Sequence, residues 1–115
     1  MRFGIALVAA TIIATPALAS ATVGSKAPDF TATDSDGKPV SLRDFAGKPV
    51  ILEWTNSGCP FVRAHYDSGN MQATQAAARQ AGAVWLTINS GAPGKQGHVD
   101  GAGARTEMAA GKARP

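Results

Sequence analysis

Apolar positions along this chain fall into runs whose periodicity changes from segment to segment. Val50 to Trp54 (VILEW) is almost continuously apolar and predicts a strand, one suited to a central position covered on both faces. Ala83 to Asn89 (AVWLTIN) predicts a second strand from its β-branched and aromatic residues. Between them, Pro60 to Asp67 reads as a helix, with proline in the first turn and Phe61, Val62 and Tyr66 on an apolar face. Met71 to Ala81 resumes with strong helix formers, with Asn70 as its expected cap and Gly82 as its terminator. A strand, a helical crossover and a strand imply parallel pairing with a right-handed connection.

Ahead of this unit the pattern is shorter in range. Thr31 to Leu42 reads as two extended pieces around a turn at Asp36-Gly37, with Val40 and Leu42 alternating with Ser41. Ser41 and Asp44 have the spacing of a capping box for a brief helical turn through Phe45, and Gly47-Lys48-Pro49 marks another turn. After Ser90 the pattern collapses: Gly91 to Gly103 holds five glycines and one proline. Thr106 to Ala110 is expected to form only a short helix. Two strands leave an α/β sheet with open edges, so the chain reads as truncated at its C-terminal side.

The first residues have a different character. Arg2 precedes a mostly apolar run from Ile5 to Ala14, and Ala17-Leu18-Ala19 places small residues where a signal peptidase reads them. Residues 1–19 are therefore expected to be a signal peptide, and 20–115 one exported domain in the periplasm or outside the cell. The apolar run is about half of what a bilayer span requires, so no stable membrane insertion is expected after cleavage. The formal charge of +3 is small, with Asp29, Asp34, Asp36 and Asp44 interspersed among the lysines. With no basic patch interleaved with aromatics, a nucleic-acid module is not expected.

Cys59 is the only cysteine, which excludes an intramolecular disulfide framework. It follows a central strand and opens a helix, where unpaired N–H groups and the positive dipole end favour a thiolate over a thiol. Its neighbours Asn56, Ser57, Gly58 and Pro60 form turns rather than cores, which points to a reactive thiol instead of a buried filler. Arg63, one helical turn on, could hold an anionic oxygen near the sulfur or lie solvated at the surface. Glu53 is an acid in an apolar strand. It could move a proton to or from Cys59, directly or through water, or face a solvated edge. Thr55, Asn56 and Ser57 could donate hydrogen bonds to the sulfur or to a peroxide oxygen. Trp54 and Trp85 read as sheet-face packing residues. The histidines, cysteine and acids form no metal-ligand spacing, and no cofactor is expected.

The run GSKAPDFTATDSDGKPVSLRDFAGKPVILEWTNSGCPF resembles the thioredoxin-like redoxins of the alkyl hydroperoxide reductase/thiol-specific antioxidant type. The resemblance covers Gly24 to Ser90 and implies an α/β, thioredoxin-like fold, here incomplete, with a central sheet and flanking helices. It implies that Cys59 is the redox-active cysteine and Glu53 the buried acid that precedes it. Val62 stands where a dithiol oxidoreductase keeps its second cysteine. Asn56 and Leu52 stand where peroxiredoxins keep threonine or serine, and proline. The implied function is a single-cysteine antioxidant or thiol oxidoreductase with Cys59, Glu53 and Arg63 as its site. Its expected partners are a peroxide or disulfide substrate and an external thiol reductant such as a thioredoxin-like protein. A non-catalytic binding or chaperone-like module with a vestigial cysteine is the competing expectation.

Overall fold

The computed structural model describes residues 22–115; the expected signal peptide lies outside the described residues. The lead-in ends in a small antiparallel hairpin, β1 (Thr31–Thr33) and β2 (Pro39–Ser41), with Thr31 opposite Ser41. Asp34 closes its turn by accepting the N–H groups of Asp36 and Lys38, and Gly37 takes a positive φ of 83° that a side chain would resist. A 3₁₀ turn over Leu42–Phe45 follows, and its capping box is formed: Ser41 Oγ accepts from Arg43 while Asp44 accepts from the Ser41 N–H.

The central unit is β3 (Val50–Trp54), α1 (Pro60–Asp67), α2 (Asn70–Gln80) and β4 (Val84–Ile88). β3 and β4 pair in parallel, with Val50 opposite Val84 and Trp54 opposite Ile88, as the crossover requires. This is an α/β, thioredoxin-like arrangement with fewer strands than the complete fold.

Strand alternation gives the sheet two unlike faces. Ile51, Glu53, Trp85 and Thr87 share the face that meets the helices, α1 through Tyr66 and α2 through Gln75. Val50, Leu52, Trp54, Val84, Leu86 and Ile88 share the other. Both faces of β3 were expected to be covered, but Leu52 and Trp54 remain exposed because α1 and α2 both engage the Glu53 face. The two tryptophans accordingly differ: Trp85 is buried, whereas Trp54 keeps 61% of its surface exposed.

Two helix ends also depart from expectation. Asn70 does not cap α2; Gly69 does, in the left-handed conformation, and Asn70 is the first helical residue with its amide on His65 Nδ1. Gly69 follows directly on Ser68, the C-cap of α1, so the two helices meet without a longer linker to supply a capping side chain. The C-terminal helix α3 spans Gly101–Ala110 rather than starting at Thr106. Asp100 explains the earlier start: its carboxylate accepts the Gly103 N–H at 2.7 Å and so nucleates the helix through two glycines.

Candidate functional site

Cys59 sits beyond the C-terminal end of β3 as the N-cap of α1, and it is partly exposed. Asn56 shapes this loop. Its carbonyl oxygen accepts the Cys59 N–H, and its side-chain oxygen accepts the Gly58 N–H, both at 2.9 Å. Arg63 N–H reaches back to the Cys59 carbonyl at 3.0 Å and starts the helix. Pro60 has no N–H to offer. The N–H groups of Phe61 and Val62 make no hydrogen bond to the described residues, so they are the free donors at this helix start. The Arg63 side chain is exposed and forms no salt bridge or hydrogen bond among the described residues.

Glu53 is not at a solvated edge. Tyr66 Oη donates to its Oε1 at 2.8 Å, and Trp85 Nε1 and Thr87 Oγ1 donate to Oε2 at 2.8 and 3.1 Å. Gln75 Nε2 adds a longer bond at 3.4 Å and also donates to Tyr66 Oη at 3.3 Å. Gln75 is fully buried, and its side-chain oxygen accepts the Arg114 N–H at 2.9 Å. Every polar group of that amide facing the interior therefore has a partner. Burial, reinforced by the hydrogen bond and charge of Glu53, pushes the Tyr66 hydroxyl well above the ordinary tyrosine range, so Tyr66 is held as a neutral donor. The Glu53 carboxylate makes these four bonds and none to Cys59 or Arg63.

Two contacts from beyond β4 close on the cysteine loop. Asn56 and Gln96 form a reciprocal amide pair, Nδ2 to Oε1 at 3.1 Å and Nε2 to Oδ1 at 3.3 Å. Ser57 Oγ donates to Glu107 Oε1 of α3 at 2.5 Å. The polar capacity expected at Asn56 and Ser57 for a sulfur or peroxide ligand is thus engaged within the protein. The glycine-rich segment is correspondingly structured: Asn89 Nδ2 donates to the Gly97 carbonyl at 2.7 Å, and His98 Nδ1 lies 2.7 Å from the Gly91 carbonyl. His65 pairs with Asn70, away from the sulfur.

Sequence reasoning brought Cys59 and Arg63 to one helix and Glu53 to the strand before it. It missed that Tyr66, Gln75, Trp85 and Thr87 converge on Glu53, and that Gln96 and Glu107 reach the loop. A polar signal was present in α2, where Gln72 and Gln75 stand three apart among alanines, the spacing of one helix face.

A parallel βαβ unit with a lone cysteine at the helix start defines the class, a thioredoxin-like redoxin. The AhpC/TSA family matches residues 23–99, and the chain belongs to that family. It is 43% identical over 37 residues to the thiol-disulfide oxidoreductase ResA of Bacillus thuringiensis subsp. konkukian (strain 97-27), a stretch covering 32% of this chain and 21% of that protein. It is 53% identical over 34 residues to the chloroplastic peroxiredoxin Q of Sedum lineare, covering 30% of this chain and 18% of the relative. The solution structure of a thiol:disulfide interchange protein from Bacteroides sp. superposes with a TM-score of 0.61 at 24% identity, over 80% of this chain and 55% of that one. The matched region thus spans about a fifth of the curated relatives' length.

Proposed function

We propose that this chain is an exported thiol-dependent oxidoreductase of 20–115 after loss of its leader, with Cys59 as its only redox-active group. The observation that carries this reading is the position of Cys59, partly exposed at the N-cap of α1 beside free Phe61 and Val62 N–H groups, in a member of the AhpC/TSA family. No helix among the described residues is long and apolar enough to cross a membrane.

In the peroxide reaction the Cys59 thiolate attacks the terminal oxygen, an S–O bond forms and the O–O bond breaks. The products are a cysteine sulfenic acid and an alkoxide or hydroxide that takes up a proton. Phe61 and Val62 N–H groups and the Arg63 guanidinium are the donors suited to the departing oxyanion. An external thiol then condenses with the sulfenic acid, releasing water and leaving a mixed disulfide. A second thiol frees Cys59 and departs as half of an external disulfide. In the disulfide reaction the same thiolate attacks one sulfur of a substrate S–S bond, the other sulfur leaves as a thiolate that takes up a proton, and the cycle is entered at the mixed disulfide. Val62 supplies no resolving thiol, so both routes need the external donor. Glu53, anchored by four donors beneath the loop, serves the site by holding α1 against β3.

The test is mass spectrometry of the chain with and without one equivalent of hydrogen peroxide, followed by alkylation, alongside Cys59→Ser. The proposal expects peroxide to add one oxygen atom, block alkylation, and be reversed by an added thiol. In a parallel sample, oxidised glutathione should form a mixed disulfide at Cys59. A folded protein inert to both reagents would overturn the proposal and favour a binding module. The pairing of Asn56 with Gln96 and of Ser57 with Glu107 is the observation on that side.

A further inference from the structure

The Asn56–Gln96 pair lies directly over the residue before the cysteine. A Cβ on Gly58 would overlap the Gln96 amide nitrogen and come within 3.2 Å of Asn56 Oδ1. A Cβ on Gly97 would overlap the Asn56 amide in turn. The two side chains therefore meet only because the residues beneath them are glycines. Asn56 also fixes the N–H groups of Gly58 and Cys59, so the clasp and the cysteine loop share one anchor. Gln96 itself is exposed, and nothing else among the described residues holds its amide. An exposed amide pair is weak, so this clasp can open without unfolding the loops it joins.

We infer that Gln96 is a specificity-determining residue: clasped to Asn56 over Gly58, it admits small hydroperoxides and small disulfides to Cys59 and hinders protein-sized disulfide partners. This rests on the reading of Cys59 as the reacting group. A protein disulfide must bring backbone on both sides of its sulfur against the cysteine loop, and the Gln96 amide covers that loop at the Cβ position of Gly58. Hydrogen peroxide needs only the sulfur. Ser57 and Glu107 hold the loop through α3 and do not depend on the clasp, so the loop's own shape should survive its loss.

The experiment compares N-ethylmaleimide with a fluorescein maleimide, one reacting group at two sizes, on the full chain, on Gln96→Ala and on Gly58→Ala. Gln96→Ala removes the amide; Gly58→Ala keeps it, but its Cβ pushes the amide off Asn56. The bulky-to-small rate ratio should rise about fivefold in both variants, while the small reagent's own rate changes less than about twofold. Equal changes with both reagents, or an unchanged ratio in both variants, would overturn the inference. These rates read access to the thiol and not its redox activity. A chain inert to peroxide and glutathione disulfide would thus sink the proposed function while leaving the clasp testable. Where the redox activity holds, Gln96→Ala should quicken mixed-disulfide formation with an oxidised thioredoxin-like protein and leave the peroxide rate unchanged.

Discussion

Tyr66 Oη donates a 2.8 Å hydrogen bond to Glu53 Oε1, joining the helix that begins at Cys59 to the strand that precedes it. The bond sets how α1 lies on the sheet, two helical turns from the cysteine. Removing the acceptor should be costly, because Trp85, Thr87 and Gln75 would lose theirs together. Glu53→Ala is expected to destabilise the fold by roughly 3 kcal/mol or more, and Tyr66→Phe by about 1 kcal/mol. Urea unfolding followed by tryptophan fluorescence measures both. In a double-mutant cycle Tyr66→Phe and Glu53→Gln should be clearly non-additive. Additive losses would mean that the two groups do not interact in solution.

The same pair gives a pH prediction. Tyr66 is the only tyrosine, so tyrosinate absorbance reports it alone. Burial and the nearby Glu53 charge raise its folded-state value above that of the unfolded chain. The native protein then binds more protons than the unfolded one once pH exceeds the unfolded tyrosine value of about 10. Tyr66 contributes no pH dependence below that point. Above it, stability should fall by up to about 1.4 kcal/mol per pH unit until the folded hydroxyl ionises. Tyr66→Phe should lack this part of the alkaline decline. Native tyrosinate appearing at the same pH as in urea would contradict the buried hydrogen-bonded geometry.

The βαβ unit could be read from sequence because its signals are local. VILEW and AVWLTIN have strand composition, and Pro60 and Gly82 mark helix ends through backbone restrictions that act wherever they occur. Cys59 could be placed for the same reason, since its setting follows from a strand end and an adjacent proline. The Glu53 hub could not, because its donors lie 13, 22, 32 and 34 residues away. Their convergence depends on strand register and on how two helices pack. The exposed Trp54 was unreadable on similar grounds: an apolar strand indicates that burial is favourable, not which neighbours supply it. Gly91 to Gly103 looked structureless because side chains from elsewhere, Asn56 and Ser57 among them, supply much of its order or that of α3.

Arg63 offers a prediction that separates function from stability. Its side chain is exposed and has no acidic partner among the described residues, so Arg63→Ala should change unfolding free energy by no more than about 0.5 kcal/mol. If the guanidinium stabilises the departing oxyanion, peroxide oxidation of Cys59 should slow about two- to fivefold, the range of an exposed charge contact. Arg63→Lys should recover part of that rate. The difference between wild type and Arg63→Ala should shrink as salt is added, because an exposed interaction is screened. Stopped-flow measurements at two ionic strengths test this, and equal rates for wild type and Arg63→Ala would remove Arg63 from the site.

Two glycines make contacts that differ in what can yield. A Cβ on Gly58 would meet the Gln96 amide, the free end of a flexible side chain, so Gly58→Ala should cost less than about 1 kcal/mol as Gln96 swings aside. A Cβ on Gly101 would overlap the Ser35 carbonyl oxygen, with the carbonyl carbon at 3.0 Å and Cα at 3.3 Å. That neighbour is backbone at the β1–β2 turn, where Arg105 also bonds the Ser35 carbonyl and Asp36. It can move only if α3 lifts from the hairpin. Alanine's better helix propensity works in the opposite direction, by at most about 1 kcal/mol. Overpacking against fixed backbone costs about 1–3 kcal/mol, so Gly101→Ala should be net destabilising. Hydrogen exchange should show the loss first in α3 and the Asp34–Lys38 turn, with β3 and β4 unaffected. A stabilised Gly101→Ala protein would mean that α3 does not rest on the hairpin, and that propensity alone decides the outcome.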